Sequence, residues 1–230
     1  MKFKEILLQG TLIKRYKRFF IDIKYRGKII IAHCPNTGSM LGLLKEGNKV
    51  WFSESKNPKR KLKYTLEMIE VNNIKIGINT LLTNKIVLDA MQNKKIKEFI
   101  KYNNIKPEVK FSDKTRFDFL ISNNSEKCFV EVKNVTLFRN DKIAEFPDSI
   151  TSRGKKHLLE LIKAKKMGYK TYIFFLVQKE GCDSFKIARD IDKDYEITFR
   201  KAIKNGIKII CYDCKLNNEE IIINKKINYV

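Results

Sequence analysis

Two short segments constrain this chain more than anything else in its 230 residues. Arg116-Phe117-Asp118-Phe119-Leu120 and Phe129-Val130-Glu131-Val132-Lys133-Asn134 are both rich in the aromatic and β-branched residues that favour strands. Asn123-Asn124-Ser125-Glu126 between them has the chemistry of a turn. Side chains alternate faces along a strand, so Glu131 and Lys133 point one way while Val130 and Val132 pack the other. Asp118, on the preceding strand, is within reach of the same spot. Two carboxylates and a lysine at one point of a sheet suit a hard divalent cation, Mg²⁺ or Mn²⁺, and a group that orients or deprotonates a water.

This Asp…Glu-x-Lys arrangement resembles the core of the PD-(D/E)XK nucleases. The resemblance implies that Asp118 and Glu131 hold the metal, with the Val132 carbonyl, and that Lys133 positions the attacking water or stabilises charge on the phosphate. An acid on the first core helix often joins that site. The apolar spacing of Leu88, Met91, Ile96, Phe99 and Ile100 predicts a helix over residues 84 to 103. Glu98 falls near its apolar face and is the expected third carboxylate, with Glu108, at the start of the next strand, competing for the role.

Composition narrows the partner. The chain carries 48 Lys and Arg against 26 Asp and Glu, a net charge of +22. Such an excess points to a polyanion, because neutralised phosphates release counterions. Of the basic residues 39 are lysine and nine arginine, and a general drift towards Lys, Ile and Asn raises the charge in the same way. Lysine contacts to phosphate position a protein without reading sequence. The longest apolar runs, such as Tyr172 to Val177, have strand length and cannot span a bilayer, so no membrane association is expected. The segment Met1 to Leu8 is too short in its apolar part for a signal peptide, which makes the cytoplasm the expected location. Five cysteines and two histidines offer only one C-x-x-C pair, Cys211 to Cys214, and no zinc is expected from it. Free thiols also fit a reducing compartment.

In order, residues 1–80 read as β-rich. Strands are expected over 8–14, 19–25, 28–33, 49–54, 62–71 and 74–78, parted by Arg26-Gly27, Gly47-Asn48, Asn57-Pro58 and Asn72-Asn73. Five or six short strands over this length suggest a small closed barrel of the OB type. Basic residues interleave with aromatics at Arg15-Tyr16-Lys17-Arg18-Phe19 and at Lys59-Arg60-Lys61 before Tyr64, the pattern of a backbone-tracking, base-stacking surface. The loop His33-Cys34-Pro35-Asn36-Thr37-Gly38-Ser39 reads as a tight hydrogen-bonded turn.

Residues 81–230 read as an α/β domain. A long connection, 138 to 154, carries Asp141, Glu145 and Asp148. Arg153, Lys155, Lys156 and His157 then introduce an amphipathic helix, whose first N–H groups and cations suit a phosphate. His157 itself reads first as a packing or hydrogen-bonded residue. A buried strand over 171–178, a helix over 191–205 and strands over 207–212 and 220–223 complete the plan. The expected fold is thus α+β in two parts, an OB-like barrel (1–80) followed by a PD-(D/E)XK nuclease-like domain (81–230).

Beyond the catalytic pattern, the motifs quoted above, with Val50-Trp51-Phe52, Asn79-Thr80-Leu81, Phe146-Pro147-Asp148 and Arg153-Gly154-Lys155-Lys156-His157, occur in an order closely similar to the sugar fermentation stimulation protein A family. That resemblance implies a DNA-binding protein. Whether it cuts DNA or acts as a non-catalytic regulator of sugar (maltose) metabolism is left open. RNA is the less expected partner, and nothing in the sequence addresses oligomeric state.

Overall fold

The computed structural model describes residues 1–113 and 115–230. Its first part is a barrel. Strands β1 (Leu8–Tyr16), β2 (Phe20–Tyr25), β3 (Lys28–His33), β4 (Lys49–Glu54), β5 (Tyr64–Val71) and β6 (Ile74–Gly77) form one sheet in the order β3-β2-β1-β4-β5-β6. The sheet closes because β3 returns alongside β5, pairing Ala32 with Tyr64 and His33 with Thr65. The expected OB-like barrel is therefore present, closed by five strands, β1 to β5, and its axis is filled by Leu12, Ile21, Ile23, Val50, Phe52, Leu66 and Ile69, all fully buried. Closure removes the exposed edges that an open sheet of this length would present.

The second part begins with helix α1 (Thr83–Gln92). Three strands follow, β7 (Asn104–Ser112), β8 (Thr115–Ser122) and β9 (Lys127–Val135), then a hairpin of β10 (Leu137–Asn140) and β11 (Ile143–Phe146). Helix α2 (Ser152–Lys166), β12 (Lys170–Val177), β13 (Ser184–Ile187), α3 (Lys193–Lys204), β14 (Lys208–Leu216), β15 (Ile221–Lys226) and β16 (Asn228–Tyr229) complete the chain. The main sheet runs β15-β14-β12-β9-β8-β7, with β9, β12 and β14 mutually parallel and central. Such strands need cover on both faces. Helix α1 supplies it on one side, over Val130, Val132, Phe174 and Leu176. Helices α2 and α3 supply it on the other, over Phe129, Ile173, Phe175 and Val177. No helix among the described residues is long and apolar enough to cross a membrane.

Two sequence expectations give way here. The helix over 84–103 ends at Gln92, and only a single 3₁₀ turn at Lys97–Phe99 continues it. Lys94 adopts a left-handed backbone (φ 54°), the Lys95 N–H bonds back to the Ala90 carbonyl (2.8 Å), and the Lys94 N–H bonds to Met91 (3.1 Å). This is a Schellman stop built without the glycine that normally announces it. The connection over 138–154 is likewise no simple loop, since its first half is the β10–β11 hairpin in a four-stranded sheet, β10-β11-β13-β16. The C-x-x-C pair does not converge either. Cys211 and Cys214 lie three apart on β14, which turns Cys211 into the α2–α3 core and Cys214 into the α1 core.

The barrel is fastened to the sheet at the end of β6. The Gly77 N–H donates to the Gln178 carbonyl (2.8 Å), and the Gln178 amide donates to Asn134 Oδ1 (2.6 Å), next to Lys133. A Cβ on Gly77 would stand 2.8 Å from the Gln178 Cβ and 2.3 Å from its Oε1. Gly77→Ala is therefore expected to destabilise the protein by about 1–3 kcal/mol, the usual cost of overpacking. A melting curve checks this, and an unchanged Tm would contradict the tight docking.

Candidate metal and nucleic-acid site

Strands β8 and β9 pair regularly from Ser122–Lys127 to Phe119–Val130, then separate at Asp118 and Glu131. The Asp118 side chain fills the gap, and its Oδ2 accepts the Val132 N–H (2.7 Å), a donor the ladder would otherwise use. Its Oδ1 accepts from Asn84 (2.8 Å) in the first turn of α1. The parting of the strands thus follows from a carboxylate that replaces a backbone partner. It also leaves Asp118 and Glu131 close enough for their charges to repel. Burial and then the Glu131 charge push the Asp118 carboxyl up to about 6, against the Val132 N–H, Asn84 and Lys133, which favour ionisation.

Glu131 is 2% exposed. Its Oε1 accepts from Lys133 Nζ (2.6 Å) and from His157 Nδ1, which projects from α2. Burial alone would raise this carboxyl, but Lys133 and His157 outweigh it and hold the group below the usual carboxylate range. Its Oε2 is buried and has no partner. The fully buried Tyr195 of α3 faces the same carboxylate, and its hydroxyl is also unpaired.

Next to this cluster lies an open cleft of about 950 Å³, lined by Asp118, His157, Glu108, Lys110, Arg116, Ser152, Arg153 and Lys156. Asp118 in the lining, with Lys110, Arg116, Arg153 and Lys156 around it, suits a phosphodiester approached from solvent. Glu108 sits beside Asp118 in this wall with a left-handed backbone (φ 54°) and a 3.5 Å contact from Asn84.

Glu98 is placed elsewhere. It accepts from Tyr212 on β14 (2.9 Å) and Lys226 on β15 (2.6 Å). Strand β14 is three strands from β8, about 14 Å at the ordinary strand spacing. The early stop of α1 carries residue 98 across the sheet, and Asn84 occupies the position over Asp118 that a first-helix acid was expected to take. Among the described residues no third Asp, Glu, His or Cys joins the pair in a ligand-like group. Asn84 was missed because an amide does not announce itself as a ligand partner. The His157 contact was invisible because it depends on how α2 packs.

The expected phosphate contacts divide. Lys17 and Arg18 form the exposed β1–β2 turn, both with positive φ. Lys59 and Lys61 are exposed in the β4–β5 loop, where Arg60 donates to Thr65 Oγ1 (2.6 Å). Arg153 and Lys156 line the cleft, and Lys155 pairs with Asp194 (2.7 Å). Arg15 is committed differently, since its guanidinium donates to the carbonyls of Asn36 (2.7 Å), Gly38 (3.0 Å) and Arg18 (3.0 Å). With those donors spent, Arg15 shapes the His33–Ser39 loop and is not a free phosphate contact.

Residues 81–220 match the "Sugar fermentation stimulation protein RE domain" and residues 13–78 match the "SfsA N-terminal OB domain". The chain belongs to the sugar fermentation stimulation protein family. It is 55% identical over 230 residues to the sugar fermentation stimulation protein homolog of Pelagibacter ubique, covering 100% of this chain and 99% of the relative. The homolog of Marinomonas sp. is 43% identical, with 100% and 90% covered. The solved structure of Pyrococcus furiosus SfsA in complex with Ca²⁺ superposes with a TM-score of 0.90 at 24% identity, covering 100% of this chain and 98% of that one. That likeness establishes a shared fold.

Proposed function

We propose that this protein binds DNA through its phosphate backbone and hydrolyses phosphodiester bonds with a divalent cation held by Asp118 and Glu131. One observation carries the reading. Glu131 presents a buried carboxylate oxygen without a partner beside the half-buried carboxylate of Asp118. A buried polar atom left without a partner is costly, and a hard cation bound by oxygen ligands would satisfy Glu131 Oε2 with Asp118 beside it. The donor set fits Mg²⁺, Mn²⁺ or Ca²⁺ and lacks the sulfur and nitrogen that zinc prefers. The Ca²⁺ complex of the Pyrococcus furiosus relative supports the same class of ion.

The cation, when bound, supplies charge neutralisation at the phosphate and a more acidic bound water. The chain's own residues do the rest. Lys133, drawn to Glu131 Oε1, holds an ammonium where it can donate to the attacking water or a phosphate oxygen. His157 fixes the same carboxylate oxygen from the opposite helix and leaves Oε2 for the metal. Arg153 and Lys156, at the cleft mouth, would orient the strand. The five buried free thiols fit the reducing setting of the cytoplasm.

The test is cleavage of labelled single- and double-stranded DNA with Mg²⁺ or Mn²⁺, beside Lys133→Ala. Metal-dependent cutting by the native chain, lost by at least about a hundredfold in the variant while DNA binding persists, is the expected result. One observation favours a binding-only regulator, namely that both Asp118 oxygens already accept hydrogen bonds. Under that reading no substrate is cut and Lys133→Ala changes nothing. Competition between DNA and RNA oligonucleotides of equal length tests the preference for DNA.

A pH dependence follows as well. A proton competes with the metal for Asp118, whose carboxyl lies at about 6. The raised value means that ionisation costs the metal-free fold, a cost relieved as pH falls through 6. Metal affinity is therefore expected to hold above pH 7 and to drop by about tenfold per pH unit below 6. Calorimetric titration with Ca²⁺ from pH 5 to 8 measures it, and a flat profile would contradict this role for Asp118.

A further inference from the structure

Two buried polar atoms without a partner lie on the same side of the main sheet, and they are complementary. Glu131 Oε2 can only accept a hydrogen bond, whereas the Tyr195 hydroxyl can donate one. Unpaired groups of this kind are rare in a folded interior. Tyr195 is fully buried in the first turn of α3, where its N–H donates to Asp192 Oδ1 (2.9 Å). Its ring stacks on Phe199 one turn on, with centroids 6.1 Å apart and planes 23° from coplanar, and meets Phe146 edge-on at 5.3 Å. The hydroxyl end of the ring lies against α2. A Cβ on Gly154 would fall 3.0 Å from Tyr195 Cε2, the atom next to the hydroxyl-bearing carbon. His157 follows Gly154 by one turn on the same helix face and puts Nδ1 on Glu131 Oε1. The glycine therefore leaves room for a tyrosine on the face that carries the histidine.

We infer that Tyr195 is a positioning residue for the cation, its hydroxyl donating through one buried water to Glu131 Oε2. The inference rests on the reading above that Asp118 and Glu131 hold a metal. Three elements then share the one carboxylate. Lys133 from β9 and His157 from α2 hold Oε1, while Tyr195 from α3 steadies Oε2 and leaves a lone pair of it for the ion. Asp192 is the other acid whose charge reaches the hydroxyl. Its oxygens already accept protein donors, Oδ1 from the Tyr195 N–H and Oδ2 from the Thr151 N–H (2.8 Å). A water suits the place between Tyr195 and Glu131 because both of its partners are polar and neither is satisfied. Hydrogen bonds from the layer behind a ligand fix its orientation and set metal affinity. The same role accounts for tyrosine at position 195. Phenylalanine would fill the aromatic cluster equally well without burying a hydroxyl that needs a partner.

The test compares the native full-length chain with Tyr195→Phe and Phe199→Leu in the absence of DNA, so that nothing depends on cleavage. Ca²⁺ is titrated by calorimetry, and melting curves are taken in EDTA. Tyr195→Phe is expected to weaken Ca²⁺ binding about tenfold. Its Tm in EDTA should match the native one, because no direct protein partner of the hydroxyl is lost. Adding Ca²⁺ to the native chain should also give a tyrosine difference band in the near ultraviolet, and Tyr195→Phe should lack it. Phe199→Leu controls for packing, since it removes the ring on which Tyr195 stacks. It should lower the Tm and leave Ca²⁺ affinity within about twofold of native. The proposal is overturned if Tyr195→Phe binds Ca²⁺ like the native chain. It is equally overturned if Phe199→Leu loses as much affinity as Tyr195→Phe, which would make the loss one of core packing. A Tyr195→Phe protein whose Tm in EDTA falls as far as that of Phe199→Leu would place the hydroxyl in the service of the fold, and the positioning role would fail. Failure of the metal reading itself would appear separately, as a native chain that binds no Ca²⁺.

Discussion

Glu131→Gln is expected to abolish divalent-metal binding, with Ca²⁺ or Mn²⁺ affinity reduced at least about a hundredfold. Replacing groups one step removed from a metal already costs 10–100-fold, and Glu131 offers the oxygen that has no other partner. The choice of glutamine matters. Glutamine keeps the volume and an oxygen for Lys133 and His157 but removes the charge on which those two groups and the metal depend. Glu131→Ala would also leave those two groups beside an empty space and cost about 3 kcal/mol or more, which confuses lost chemistry with lost folding. Glu98→Ala serves as the control. Because Glu98 is tied to Tyr212 and Lys226, its removal is expected to leave metal affinity and cleavage within twofold of native. A Glu131→Gln protein that binds metal like the native one would refute the assignment, and a Glu98→Ala protein that loses it would restore the first-helix acid to the site.

The second large effect is of salt on DNA affinity. Lys17, Arg18, Lys59, Lys61, Arg153 and Lys156 lie on the barrel turns and the cleft mouth. If these six neutralise six phosphates, the slope of log K against log salt is about −5, and a rise from 50 to 200 mM salt weakens binding about 10³-fold. Arg15→Ala tests the division among the cations. Its donors hold the His33–Ser39 loop, so its loss should lower Tm and leave the slope within about half a unit of native. Lys17→Ala or Lys59→Ala should lower the slope by about one unit each at unchanged Tm. An affinity indifferent to salt would contradict backbone recognition altogether.

Much of the architecture was legible because it rests on local signals. Strands β1 and β2 alternate more and less buried residues, Gly and Asn turns part the barrel strands, and Lys28–His33 and Lys49–Glu54 fall at their expected bounds. The Asp118, Glu131, Lys133 constellation was readable because strand alternation alone puts Glu131 and Lys133 on one face. What was not legible depends on contacts distant in sequence. The α1 stop uses Lys94 in a conformation that usually calls for glycine, so the helix seemed to run on and Glu98 seemed to belong to the site. The parting of β8 from β9 is made by the Asp118 side chain and has no composition of its own. Arg15 stands in a basic cluster indistinguishable from its neighbours, yet the fold turns it inward on a loop 21 residues away. His157 reaches Glu131 across 26 residues only after α2 has docked.

The most direct test of the metal centre is the anomalous difference map of a crystal of this protein grown with Mn²⁺. The expected result is a peak bound by Glu131 Oε2 and an Asp118 oxygen, with Lys133 and His157 still on Glu131 Oε1 and no density at Glu98. A map with no peak at that pair, or with the ion at Glu98 instead, would contradict the account.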